Sequence, residues 1–184
     1  MKFILESFLL FTIAACAQTA SKQKSETVKA STINDWKTLD HPNYFIQYPQ
    51  NWELNSSGQM GTSFILFSAS EAQGDKFREN VNLLIQNLPD KSIDLDKYTE
   101  ISEEQIKIMI TNSAINESKR IKNENVEYQR VIYTGDQGVF HLKFEQFYFI
   151  TNDKAYVLTF TTEKDKFESL KETGEKILNS FRLK

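Results

Sequence analysis

The stretch N-Y-F-I-Q-Y-P-Q-N-W at residues 43–52 decides how the rest of the chain is read. Tyr44, Ile46 and Tyr48 alternate with Phe45 and Gln47, which is the two-residue period of a strand with one apolar face. Pro49 has no N–H to donate to a ladder, so the strand ends there. Trp52 is then placed to fold back onto whatever the strand covers. Before this stretch the chain is signal-like and polar. After it come alternating strands and two amphipathic helices.

Upstream, Met1 and Lys2 precede F-I-L-E-S-F-L-L-F-T-I-A-A-C. The apolar run at 7–15 has the length of a signal-peptide core and is far short of the roughly 20 residues a spanning helix needs. Ile13-Ala14-Ala15-Cys16 resembles a bacterial lipobox: an aliphatic residue, two small ones, then cysteine. Small side chains fit a signal peptidase groove, and the thiol takes the lipid. Cys16 is the only cysteine, so no disulfide can form within the chain. Residues 1–15 are therefore expected to be a signal peptide with lipobox, and Cys16 the lipid attachment point, carrying diacylglycerol and palmitate-type chains. Each buried methylene would contribute about 0.8 kcal/mol to membrane anchoring. The competing reading is a simple secretory signal with an incidental cysteine; Glu6 weakens the export signal under either reading.

Residues 17–32 are polar, with Val28 the only large apolar side chain, which is the composition of a flexible tether, expected over 16–33. Ala17 stands where enterobacterial lipoproteins retained at the inner membrane carry Asp. By that analogy the expected site is the cell envelope, at the periplasmic face of the outer membrane. The net charge of -3 comes from 22 basic and 25 acidic residues mixed along the chain, which is not the basic footprint of nucleic-acid binding.

Downstream, one domain is expected over residues 34–184. Trp36 and Leu39 open it, and His41-Pro42 turns into the first strand. Strands are expected at 63–69 and at 78–88, the second with Val81, Leu83 and Ile85 on one face and Asn80, Asn82 and Leu84 on the other. Asp94 is placed to cap a helix over 95–110, with Leu95, Tyr98, Ile101, Ile108 and Met109 as its apolar stripe. Strands follow at 114–122, 126–134 and 139–150, joined by turns at 123–125 and 135–138. Asn152-Asp153 is a two-residue hairpin turn that sets Ile150 against Ala155 and Tyr148 against Val157. Both faces of that hairpin are apolar, which calls for cover on both sides. A last helix is expected from about Thr162, with Phe167, Leu170, Gly174, Ile177, Leu178 and Phe181 on one face.

In order along the chain, Y-F-I-Q-Y-P-Q-N-W, F-R-E-N-V-N-L at 77–83, N-D-K-A-Y-V-L-T-F at 152–160 and the closing N-S-F-R-L resemble the PsbP-like family. That family is named after an extrinsic photosystem II subunit and shares its fold with a Ran-binding import factor of yeast. The resemblance implies an α+β fold, an antiparallel sheet flanked by helices on both faces. Many bacterial members are small lipoproteins of unassigned role. The family implies no particular site.

Chemistry-bearing groups are sparse. His41 and His141, together with Asp40 or Glu145, are the candidate metal ligands, but their spacing matches no ligand motif, and His141, Lys143 and Glu145 read as one solvated strand face. Glu103-Glu104 reads as a solubilising pair. No G-x-S-x-G and no phosphate loop is present. The expectation is no catalytic, metal or cofactor residues. The protein is read as a non-enzymatic envelope module that binds or helps assemble a protein partner. The alternatives are a carrier or sensor of a small apolar ligand, motivated by 14 Phe and 7 Tyr, and an uncharacterised hydrolase.

Overall fold

The alternation in Tyr44-Phe45-Ile46-Gln47-Tyr48 forms a strand whose Tyr44, Ile46 and Tyr48 are buried. It lies in a computed structural model that describes residues 36–70, 75–122 and 126–184. The elements are β1 (Trp36–His41), β2 (Tyr44–Pro49), β3 (Glu53–Asn55), β4 (Thr62–Phe67), β5 (Asn80–Asn87), α1 (Leu95–Met109), β6 (Thr111–Lys122), β7 (Glu127–Gln137), β8 (Phe140–Thr151), β9 (Lys154–Glu163), α2 (Phe167–Ser180) and β10 (Arg182–Leu183). The lipobox, Cys16, the tether and the turn expected at 123–125 lie outside the described residues.

Seven strands pair in the order β3-β4-β5-β9-β8-β7-β6, every neighbour antiparallel. A smaller sheet, β1-β2-β10, is also antiparallel. Helix α1 packs over β6, β7 and β8 on one face of the large sheet. Helix α2 packs on the other face, against β9 and β5, and also against β2. The fold is thus α+β, with an antiparallel sheet covered by helices on both faces.

Two cores result. The α2 side gathers Tyr44, Ile46, Tyr48 and Trp52 with Phe64, Phe147, Leu158, Phe160, Ile177 and Phe181. The α1 side gathers Tyr98, Ile106, Val131, Tyr133, Phe144, Tyr148 and Val157. Trp52 is 5 % exposed, and its backbone N–H donates to the Pro49 carbonyl at 3.0 Å, so the turn that stops β2 also delivers the ring to the core. The Asn152-Asp153 turn has φ of 52° and 57°, and the pairs Ile150–Ala155 and Tyr148–Val157 form as the sequence predicts.

Several local expectations differ. Residues 36–41 form a strand before the turn, because Lys37–Tyr48 and Leu39–Ile46 pairing holds them on β2. Gly135, Asp136 and Gln137 extend β7 and pair with Leu142, His141 and Phe140. Gly135 is there for close approach: a Cβ would lie 2.2 Å from Ile110 Cγ2. Thr162 is a buried residue of β9, held by pairing with Lys143, and α2 begins at Phe167 instead. Asp94 does cap α1, its Oδ1 accepting the Lys97 N–H at 2.8 Å. The buried stripe of α1, however, is Tyr98, Thr99, Ser102, Gln105 and Ile106, while Ile108 is 82 % exposed. Ile108 lies ten residues from Tyr98, about 80° out of phase at 3.6 residues per turn.

Candidate functional site

The polar face of β5 is not solvated. Asn80, Asn82, Thr159, Thr161 and Gln146 are all buried, and all lie on the α1 side of the three central strands. Register joins them into a row: Asn82 is opposite Thr159, and Thr159 is opposite Gln146. The other side of the same strands carries Val81, Leu83, Phe147, Leu158 and Phe160, which α2 covers. One sheet therefore has a mainly apolar face, broken by the buried Glu145 beside Phe147, and a face with a polar row at its centre.

Burying carboxamides and hydroxyls is costly unless they find partners. Gln146 Nε2 donates to Thr159 Oγ1 at 3.1 Å, and the Tyr148 hydroxyl donates to Gln146 Oε1 at 2.5 Å. Asn82 Nδ2 reaches Asn80 Oδ1 only at 3.4 Å. Helix α1 supplies the roof. Its Tyr98 hydroxyl donates to Gln86 Oε1, and its ring meets Tyr148 edge-on, with centroids 5.5 Å apart. The Ser102 hydroxyl lies beside both phenols. Burial pushes the Tyr98, Tyr133 and Tyr148 phenols well above the ordinary tyrosine range, so all three stay protonated at neutral pH.

Between this roof and the polar row lies a cavity of about 100 Å³, partly open to solvent. The row beside Asn82 and Thr159 is apolar, Leu84 opposite Val157, and Ile110 and Phe144 add to the wall. None of the described residues lining the cavity is charged. The signal for this site was present in N-V-N and T-F-T-T, where polar residues take every second place in two strands that become neighbours. Read one strand at a time, such positions look wet.

The candidate metal ligands are not brought together. The His41 ring stacks on Tyr44 at 4.4 Å, and its Nδ1 accepts the Asn43 N–H at 3.3 Å, while Asp40 pairs with Lys184. His141 Nδ1 lies 2.6 Å from Asp136 Oδ1. Asn112 and His141 hold the Asp136 carboxyl below the usual range. Among the described residues no three His, Cys, Asp or Glu side chains gather where they could hold a metal. Glu145, expected on a solvated face, is fully buried. It accepts from Arg130 Nε at 2.6 Å, while the same guanidinium reaches Glu117 at 2.7 Å and Glu175 at 2.8 Å. This cluster ties β6, β7 and β8 to α2. Burial pushes the Glu145 carboxyl up, and Arg130 pulls it back.

No protein-family model and no curated protein sequence matches the chain. Solved structures match over nearly whole chains at low identity. Cyanobacterial PsbP (CyanoP) from Synechocystis is 14 % identical with a TM-score of 0.60, the match covering 86 % of this chain and 98 % of that one. LpqN of Mycobacterium tuberculosis, described as involved in cell envelope biogenesis, is 10 % identical with a TM-score of 0.57, covering 80 % and 90 %. A Pseudomonas aeruginosa protein of unknown function, PA94, is 10 % identical with a TM-score of 0.56, covering 80 % and 96 %. At these identities the likeness concerns the fold: the chain has the PsbP-like fold.

Proposed function

We propose that the protein is a non-enzymatic binding module of the cell envelope that holds a small uncharged ligand in the α1 cavity. The observation that carries this reading is the cavity wall, in which carboxamides and hydroxyls stand among apolar side chains that supply most of its surface, with no charged group among the described lining residues. Such groups recognise through hydrogen bonds. Proton transfer at neutral pH needs a group that titrates near it, and burial moves the Tyr98 and Tyr148 phenols away from that range. The aromatic residues that prompt an apolar-ligand reading pack on one another instead, as Tyr44 does on Phe64 and Phe181, and Tyr128 on Phe147 and Phe149.

The envelope setting is supported by the lipobox-like Ile13-Ala14-Ala15-Cys16 and by the envelope role given for LpqN. We place the protein at the periplasmic face of the outer membrane, anchored through acylated Cys16, with residues 16–33 as the spacer. A protein partner is the second reading, favoured by Ile108 and Met109, which α1 turns outward at its C-terminal end. A photocrosslinker at position 108 would capture that partner in cells.

Mass action gives the test of ligand binding, since a ligand that binds only the folded state raises its melting temperature. Small-molecule extracts of the envelope are divided by ion exchange into charged and uncharged pools. The uncharged pool should raise the melting temperature of the wild-type protein and not that of Gln146→Leu. Stabilisation by the charged pool alone, or by neither pool, contradicts the reading.

A further inference from the structure

We propose that the group bound in the α1 cavity is an uncharged acetamido group held by the Asn82–Thr159–Gln146 row, an assignment that rests on the binding function above. Charge is the first criterion. No described lining residue is charged, and an ion brought into this site would lose its hydration with no counter-charge to replace it.

Hydrogen-bonding capacity is the second. Gln146 spends one N–H on Thr159 and one oxygen lone pair on the Tyr148 hydroxyl. It retains one donor and one acceptor site. Asn82, with only a long contact to Asn80, retains more. A ligand that both donates and accepts is required, and a secondary amide does both within one planar group.

Shape is the third. A cavity of about 150 Å³ holds benzene, so about 100 Å³ holds about four non-hydrogen atoms, the size of an acetamido group. Leu84 and Val157 lie two residues along their strands from Asn82 and Thr159, about 7 Å away. They offer an apolar wall to the methyl while the row takes the amide. A polyol would leave that wall bare, and a hydrocarbon would leave the carboxamides without partners. Because the cavity is partly open, the remainder of the ligand can stay outside. N-acetylated amino sugars and N-acetylated peptides both present this group.

The test is a two-dimensional 1H–15N NMR titration of the full chain, following the side-chain amides of Asn82 and Gln146. The probes are N-acetylglucosamine and N-acetylalanine methylamide, with glucose and glucosamine as controls. The first two should give saturable shifts that the controls do not. Gln146→Leu and Thr159→Val should each weaken binding about tenfold with unchanged circular dichroism. If Gln146→Leu fails to fold, Thr159→Val, which keeps the side-chain shape, carries the test. Tighter binding of the sugar or of the peptide identifies the source, and either supports the acetamido assignment. The assignment is overturned if glucose matches N-acetylglucosamine, if neither amide probe shifts these signals, or if the folded variants bind as the wild type does. If both amides fail while the uncharged extract pool still stabilises the protein, the amide assignment falls and the binding function stands.

Discussion

Trp52 and Gly174 show opposite uses of space on the α2 side of the sheet. Trp52 fills it: buried, and tied back to Pro49 through its backbone N–H. Trp52→Ala should lower unfolding free energy by about 3–5 kcal/mol in a denaturant titration. Gly174 leaves space, since a Cβ there would lie 2.3 Å from Phe160 Cε1. Gly174→Ala should destabilise even though alanine favours helix by about 1 kcal/mol, because overpacking costs about 1–3 kcal/mol. A rise in melting temperature for that variant would show that the Phe160 ring yields freely. Both positions were legible in the sequence, one as the aromatic following a strand-ending proline, the other as a glycine inside an apolar helical stripe. Glu145 was not. Its neighbours His141 and Lys143 alternate with it as on a wet strand, and its burial depends on Arg130, which arrives from the next strand. Arg130→Met gives a pH prediction. The folded-state pKa of Glu145 is raised by burial, so its contribution to stability is present below the ordinary carboxylate pKa and is lost as pH rises through the folded value. Without Arg130 that value climbs further. The variant should therefore lose more stability than the wild type between about pH 4 and pH 7. Parallel stability curves for the two proteins would contradict this.

Among the elements, those closed by local chemistry were the readable ones. Asp94 caps α1, and Asp94→Ala should cost about 0.5–2 kcal/mol in thermal or denaturant unfolding. The Asn152-Asp153 turn fixes the β8–β9 register because both residues accept positive φ. Elements bounded by partners were misplaced. Strand β9 continues past Thr161 because β8 pairs with it as far as Glu163, so the last helix cannot start at Thr162. The inward stripe of α1 includes Ser102 and Gln105, since part of what it covers is polar. A helical stripe sought through apolar residues alone therefore rotates toward Ile108, which faces solvent. The same cause hid the cavity: Asn82, Thr159 and Gln146 lie far apart in sequence, and only strand order makes them one row.

At the scale of the whole molecule, the fold separates two tasks. The α2 side, with the small sheet and Trp52, is an apolar core that holds the molecule together. The α1 side encloses an uncharged cavity, partly open to solvent, whose mainly apolar wall is crossed by the Asn82–Thr159–Gln146 row. The segment before residue 36 would set where that cavity is presented. Cys16→Ala should leave the product uncleaved or soluble, as read by membrane fractionation and intact mass; an unchanged mass and unchanged attachment would contradict lipidation. The most direct test of the central claim, that the α1 cavity exists to bind, is native mass spectrometry of the protein extracted gently from its own membranes. Wild-type protein should carry a small uncharged compound as a discrete added mass whose occupancy falls in Thr159→Val. Wild-type protein found bare, or both proteins carrying the same added mass at equal occupancy, would contradict it.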